Sequence, residues 1–356
     1  MHYEKLGRGR PVILVHGWLG SWRYWIPTMQ QLHLKYSVYT LDLVGFGDSA
    51  KNSERYTIEH QSQLLNQFME LLAIPKAAMI GHGLGALVLS KFALHYPDKV
   101  ARMLLVSLPL FDPGDLKSRT PDGTKVMLTH NTAAIPVIEL TPIATEKPFI
   151  VTNLAQPTPL AEVKRSTKEM KAVGAAVATP MESVVVSRPA PIDTTPDPTL
   201  PSRSTLFAAS GATVLNPLAE AFGNKSLLSL LEKCFKKSDP IFEKLRSDVE
   251  KTDEKVLLNS TQNYNASKFL DDVRRTTSPT LVVHGADDPM IPAPSDDVWQ
   301  YLTVERDELF VPIVLPNIHH FPMLEYEPFM RLAGDFLETT ELSKIEVRGR
   351  WLRRSR

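Results

Sequence analysis

The residues of this 356-residue chain that could do chemistry fall at the ends of apolar runs. The most distinctive are five in a row, Gly81-His82-Gly83-Leu84-Gly85. Before them, Ala77-Ala78-Met79-Ile80 reads as a short buried strand; after them, residues 86–93 carry apolar side chains at helical spacing. A tight turn between strand and helix lifts its middle side chain above the sheet, where a serine hydroxyl could attack a carbonyl. Here the middle position is Gly83, and a hydrogen on Cα offers no lone pair. Other residues of catalytic type follow later strands: Ser107 and Asp112 after the run at 103–106, Asp287 and Asp288 after 280–284, and His319 and His320 after 310–315. A histidine oriented by a carboxylate is a general base.

These elements resemble, in order, the motifs of the α/β-hydrolase family. Residues 81–85 resemble its G-x-S-x-G nucleophile turn with serine replaced by glycine. Val12 to Trp18 runs an apolar strand into His16-Gly17, and Asp42-Leu43-Val44-Gly45-Phe46-Gly47-Asp48-Ser49 resembles the family's D-x-x-G-x-G-x-S loop. Gly285-Ala286-Asp287-Asp288 resembles the acid loop, and His319-His320-Phe321-Pro322-Met323-Leu324-Glu325 the histidine loop. The resemblance covers roughly residues 2–110 and 275–340. It implies an α/β fold, a mostly parallel central sheet with helices on both faces, and a helical cap inserted after the sixth family strand. It also implies that Asp288 orients His320 as base, with Asp287 and Asp112 as alternative acids. The backbone N–H groups of Trp18 and Leu84 would form the oxyanion hole; backbone donors survive any change of side chain at 83. Trp22, Trp25 and Phe46 are pocket-wall candidates. His82 and His319 read as structural.

Three functions follow from this residue set. The first is a non-hydrolysing member that binds a small hydrophobic or ester-like molecule, or a partner, in the old pocket. The second is a weak hydrolase or lyase in which the Asp288–His320 dyad acts as general base on water or substrate, with room for that water left by the missing side chain at 83. The third is a serine hydrolase with a displaced nucleophile such as Ser107. Covalent serine catalysis at position 83 is not expected. No metal or organic cofactor is implied, and residues 81–85 lack the third-glycine spacing and the downstream acid of a dinucleotide fingerprint.

The frame that must hold these residues is legible from alternation. Strands are predicted at about 12–16, 36–42, 77–81, 103–107, 280–284 and 310–315, and helices at about 22–34, 56–73, 86–96, 295–303 and 326–340. About ten residues precede the first of these strands, so the family's usual first strand is expected to be missing or vestigial. Residues 1–110 and 275–342 would form the core. Residues 111–212 form a Pro/Thr-rich insertion expected to be disordered, since 14 of the 28 prolines lie between 109 and 201. Residues 213–274 return to helical spacing as a cap, with Asn259 to Arg275 reading as one helix and Cys234 as a small apolar helix residue. Residues 343–356 are a basic tail, six basic against one acidic residue, or +5, suited to peripheral contact with an acidic surface. Zero net charge gives no global field for nucleic acid. One cysteine excludes an intrachain disulfide, and no run has the length of a transmembrane span, so a cytoplasmic location is expected.

Overall fold

The structure, a computed structural model, describes residues 1–119, 152–153, 216–223, 225–325 and 328–345. The insertion beyond residue 119, except 152–153, and the tail beyond residue 345 lie outside the described residues, so the expectations placed on them do too. No helix among the described residues is long and apolar enough to cross a membrane.

Eight strands build one sheet: β1 (His2–Leu6), β2 (Arg10–Val15), β3 (Tyr36–Leu41), β4 (Ala77–His82), β5 (Val100–Val106), β6 (Thr152–Asn153), β7 (Thr280–Gly285) and β8 (Phe310–Leu315). Their spatial order is β6-β1-β3-β2-β4-β5-β7-β8. All pairs are parallel except β1 with β3, which is antiparallel. The central strands are apolar runs buried on both faces, as a helix-covered parallel sheet requires. Helix α1 (Ile26–Leu32) follows the 3-10 turn Trp22–Trp25; α2 (Ile58–Leu71) precedes β4, and α3 (Leu84–His95) follows it. Among the described residues, five helices lie between β5 and β7 in the chain: α4 (Pro217–Phe222), α5 (Leu227–Cys234), α6 (Pro240–Glu250), α7 (Lys255–Thr261) and α8 (Ala266–Arg274). The fold closes with α9 (Asp296–Thr303), α10 (Pro322–Glu325) and α11 (Phe329–Glu338).

Two expectations change, and a third element is found behind a separate turn. The first residues are not a preamble to the sheet: His2–Leu6 forms a full strand, register Tyr3↔Leu41 to Leu6↔Val38. Its polar sequence hides it, because only His2 and Tyr3 are buried while Lys5 and Leu6 are exposed. Asn259 to Arg275 is two helices, since the Asn265 side chain accepts from the Lys268 N–H at 2.8 Å and starts α8 afresh. The helix expected at 326–340 is likewise preceded by the separate turn of α10.

Parallel pairing has a positional consequence. The registers Val15↔Gly81, His82↔Val106, Val106↔Val283 and Gly285↔Leu315 put the C-terminal ends of five strands on one edge of the sheet. The loops that leave them carry Trp18, Gly83, Ser107, Asp288 and His320, and this edge is where open parallel sheets bind ligands.

Candidate functional site

Gly83 begins α3 with φ 50° and ψ −109°, a left-handed conformation that disfavours any side chain. Its N–H donates to the Val106 carbonyl at 2.9 Å, which ties the turn to β5. Gly85 is required for another reason: a Cβ there would stand 2.4 Å from the Val15 carbonyl oxygen. A Cβ built at Gly83 would meet the Cε3 and Cζ3 edge of the Trp18 indole at 3.3 Å. The room expected beside position 83 is therefore bounded by that indole. The ring is fully buried, packs edge-on to Phe222 at 4.9 Å and donates through Nε1 to Ser260 Oγ of α7 at 2.9 Å. Leu84 is the first residue of α3, so its N–H has no intrahelical acceptor.

His320 and Asp288 meet. His320 Nδ1 lies 2.8 Å from Asp288 Oδ2, and both side chains are fully buried. A carboxylate only accepts, so Nδ1 carries the proton and Nε2 presents its lone pair. That Nε2 is buried and has no hydrogen-bond partner. Asp288 Oδ1 accepts from the N–H groups of Met290 and Ile291 at 2.8 and 3.0 Å. Burial alone would raise the Asp288 carboxyl. When the His320 ring takes a second proton its charge, together with the hydrogen bond between the two and the two backbone donors, outweighs burial and holds the carboxyl at about 2. Asp287 is exposed, and Asp112 is exposed and accepts from the Gly114 N–H at 2.7 Å, so neither is the partner of His320.

The neighbouring histidines hold the frame. His82 Nε2 donates to the His320 carbonyl at 2.8 Å, which leaves Nδ1 to accept from the Tyr24 hydroxyl at 3.0 Å. Tyr24 in turn accepts from the Gly17 N–H at 2.6 Å. Burial, reinforced by His320, pushes His82 well below the ordinary histidine range, so it stays neutral. His319 is exposed and pairs through Nδ1 with Glu325 at 2.8 Å. Glu325 also accepts from the N–H groups of His319 and Phe321 at 3.0 and 2.9 Å and so fixes the histidine loop. Ser107, at φ 47°, donates its hydroxyl to the same His320 carbonyl at 3.1 Å rather than to an imidazole nitrogen. Cys234 is buried, and burial pushes its thiol up, away from the reactive thiolate.

The aromatic rings around the pair are His82 and Phe321, at 4.6 and 5.1 Å from the His320 ring, with Phe235 at 5.2 Å beyond Phe321. The three rings expected as pocket walls make other ring contacts. Trp22 packs on His2 at 6.1 Å, Trp25 on Tyr24 at 5.1 Å and Phe46 on His16 at 4.8 Å. Tyr24, Ser260 and Phe222 were not marked by sequence. Tyr24 sits in an aromatic-rich turn whose spacing says nothing of its hydroxyl, and the other two lie in helices whose docking no local pattern encodes.

Residues 10–123 match the family model described as the α/β hydrolase fold. Solved structures align along nearly the whole length. A hydrolase from Pseudomonas aeruginosa PA01 gives a TM-score of 0.56 at 14% identity, covering 95% of this chain and 94% of that one. A thermophilic esterase from Thermogutta terrifontis gives 0.55 at 16% identity, covering 94% and 92%. The chain has the α/β-hydrolase fold. Among curated relatives, bifunctional epoxide hydrolase 2 of Mus musculus is 32% identical over 119 residues, which is 32% of this chain and 21% of that protein. Putative carbamate hydrolase RutD of Caulobacter vibrioides is 35% identical over 112 residues, 30% of this chain and 42% of that protein. Pimeloyl-[acyl-carrier protein] methyl ester esterase of Aliivibrio fischeri is 35% identical over 112 residues, 31% of this chain and 42% of that protein. The match thus spans between one fifth and less than one half of these relatives. The strand ends gathered on one edge of this sheet carry a glycine, a buried carboxylate and a buried imidazole.

Proposed function

We infer that this chain is a non-covalent, small-molecule-binding α/β-hydrolase-fold protein in which His320 supplies the ligand's polar anchor. The observation that carries the reading is the coexistence of Gly83 with an intact, fully buried Asp288–His320 pair whose Nε2 has no partner. A buried polar atom without a hydrogen bond costs about 1–3 kcal/mol, so its retention favours a ligand that satisfies it. With Nδ1–H committed to Asp288, Nε2 is an acceptor. The ligand therefore presents a donor, such as a hydroxyl, an acidic N–H or a protonated acid, beside an oxygen for the Trp18 and Leu84 amides. Apolar walls from Trp18, Phe222, Phe235 and Phe321 suit a compact hydrophobic or ester-like body. Ester and carbamate hydrolysis by the relatives gives that chemistry a precedent of type.

A second reading uses the same pair. An imidazole with Nδ1 held by a carboxylate and a free Nε2 is also oriented as a general base on water or on an acidic substrate proton. Hydrolases stripped of one triad member retain roughly 10³–10⁴ over the uncatalysed rate from the remaining machinery. A fluorophosphonate probe and a panel of esters, run on the natural chain and on His320→Ala, separate the possibilities. Binding alone gives no covalent label, equal ester background in both proteins, and loss of ligand-induced thermal stabilisation in the variant. A rate that drops in His320→Ala without labelling supports the general base. Stoichiometric labelling of a serine overturns both.

A further inference from the structure

A second constellation of ligating side chains stands where the start of β1 meets the C-terminal end of β3, sharing no residue with the Asp288–His320 pair. His2 is 1% exposed, and neither ring nitrogen has a hydrogen-bond partner. Asp42, fully buried, leaves the end of β3, and Asp48 comes from the loop that follows. One ring nitrogen of His2 and one carboxylate oxygen each from Asp42 and Asp48 lie within 4.8 Å of one another. Glu4 Oε1 is 3.6 Å from His2 Nε2 on the same strand.

The backbone holds this arrangement from both sides. The Asp42 N–H donates to the His2 carbonyl at 3.0 Å, and the His2 N–H donates to Ser49 Oγ at 2.8 Å. Ser49 then donates to the Asp42 carbonyl at 2.6 Å, so strand and loop form one closed hydrogen-bonded ring. The two Asp42 oxygens accept from the N–H groups of Trp22 and Asp48, both at 2.9 Å, which aims the carboxylate and leaves each oxygen a second lone pair. Gly47 makes room for it, since a Cβ there would stand 2.3 Å from Asp42 Oδ2. The Asp48 side chain is 28% exposed and opens the cluster to solvent. It is also the ligand with competition: Arg23 Nη2 holds its Oδ2 at 2.6 Å, and Lys251 lies 3.7 Å from its Oδ1.

We propose that His2, Asp42 and Asp48 form a binding site for a divalent transition-metal ion, with zinc the best match. One neutral imidazole and two carboxylates are a nitrogen–oxygen donor set of the kind zinc takes at about 2.0–2.2 Å. Tetrahedral ligands at that range stand about 3.3–3.6 Å apart. Binding therefore draws the three atoms, now within 4.8 Å of one another, inward by up to about an ångström, with Glu4 or water in the fourth position. The ion satisfies the imidazole nitrogen that burial leaves bare and clasps β1 to the 42–49 loop.

Full-length protein stripped with chelator and titrated with zinc by calorimetry tests this, alongside the His2→Leu and Asp48→Asn variants. His2→Leu keeps an apolar body in the buried position, and Asp48→Asn alters only the solvent-facing ligand, so both are chosen to fold. The expected result is one zinc per chain, a melting temperature that rises with zinc in the natural protein, and affinity at least tenfold weaker in each variant. Cobalt in place of zinc should give a visible absorption band that both variants lose. No stoichiometric binding overturns the site, as does binding of equal strength in the natural chain and both variants.

Discussion

Position 83 shows how much one side chain decides. The turn around it keeps its left-handed geometry, the hydrogen bond from Gly83 N–H to Val106 and the close approach of Gly85 to Val15. Position 83 itself carries no side chain that could attack a substrate. Gly83→Ser places a side chain at φ 50°, which costs about 1–3 kcal/mol, and presses its Cβ on the Trp18 edge. The expected outcome is a less stable protein with little esterase activity. Gly83→Ser combined with Trp18→Ala should label with fluorophosphonate, because the indole then no longer crowds the hydroxyl. Labelling of the single variant at the rate of the double would show that Trp18 is no obstacle. The pair of Asp288 and His320 was legible in sequence through the acid-loop and histidine-loop motifs that the chain shares with the family it resembles. The choice of Asp288 over Asp287 is made physically by the Met290 and Ile291 amides, which converge on only one of the two carboxylates.

Helix α7 acts on the site at the level of an element. Ser260 Oγ accepts from the Trp18 indole and donates to the Leu257 carbonyl at 3.3 Å, so the helix and the loop after β2 share one hydroxyl. Ser260→Ala leaves the buried indole N–H without an acceptor, and chemical denaturation should show a loss of about 1–3 kcal/mol. Adding Trp18→Phe to that variant removes the orphaned donor as well. The double variant should therefore lose less than the two single losses added together. Additive losses would mean that the two groups do not interact. Neither the break at Asn265 nor the docking of α4–α8 was readable beforehand. Helix existence follows from local apolar spacing, whereas the face on which a helix lands depends on partners hundreds of residues away. The strand His2–Leu6 was missed for the same reason: its pairing with β3 is set by distant backbone, not by its own hydropathy.

On the scale of the molecule, the sheet edge concentrates buried neutral histidines. His16 accepts from the Leu43 N–H at 3.0 Å and contacts the Gly17 carbonyl at 2.8 Å, and burial brings it down from 6.5 to about 4. His284, at the end of β7, is brought down to about 4 by the same cause. When folded values are depressed, the unfolded chain binds more protons between pH 6.5 and 4, so stability falls as pH drops through that window. Each histidine accounts for about 3 kcal/mol of that loss. Asp288 adds a lower window: its carboxylate is stabilised in the fold, and that stability disappears as pH falls from 3.8 toward about 2. Against a typical total of about 5–15 kcal/mol, the two histidines alone remove much of the margin. Denaturant midpoints measured from pH 7 to pH 4 should therefore decline steeply. A flat profile over that range would contradict the burial of neutral His16 and His284. The Trp18 ring, one of five indoles in the chain, sits sealed from water with its N–H on Ser260 and its edge over Gly83. Any molecule seated beside the glycine must brush it, so the chain carries its own fluorescent gauge of occupancy, one whose colour and lifetime register an arrival before any product exists to assay.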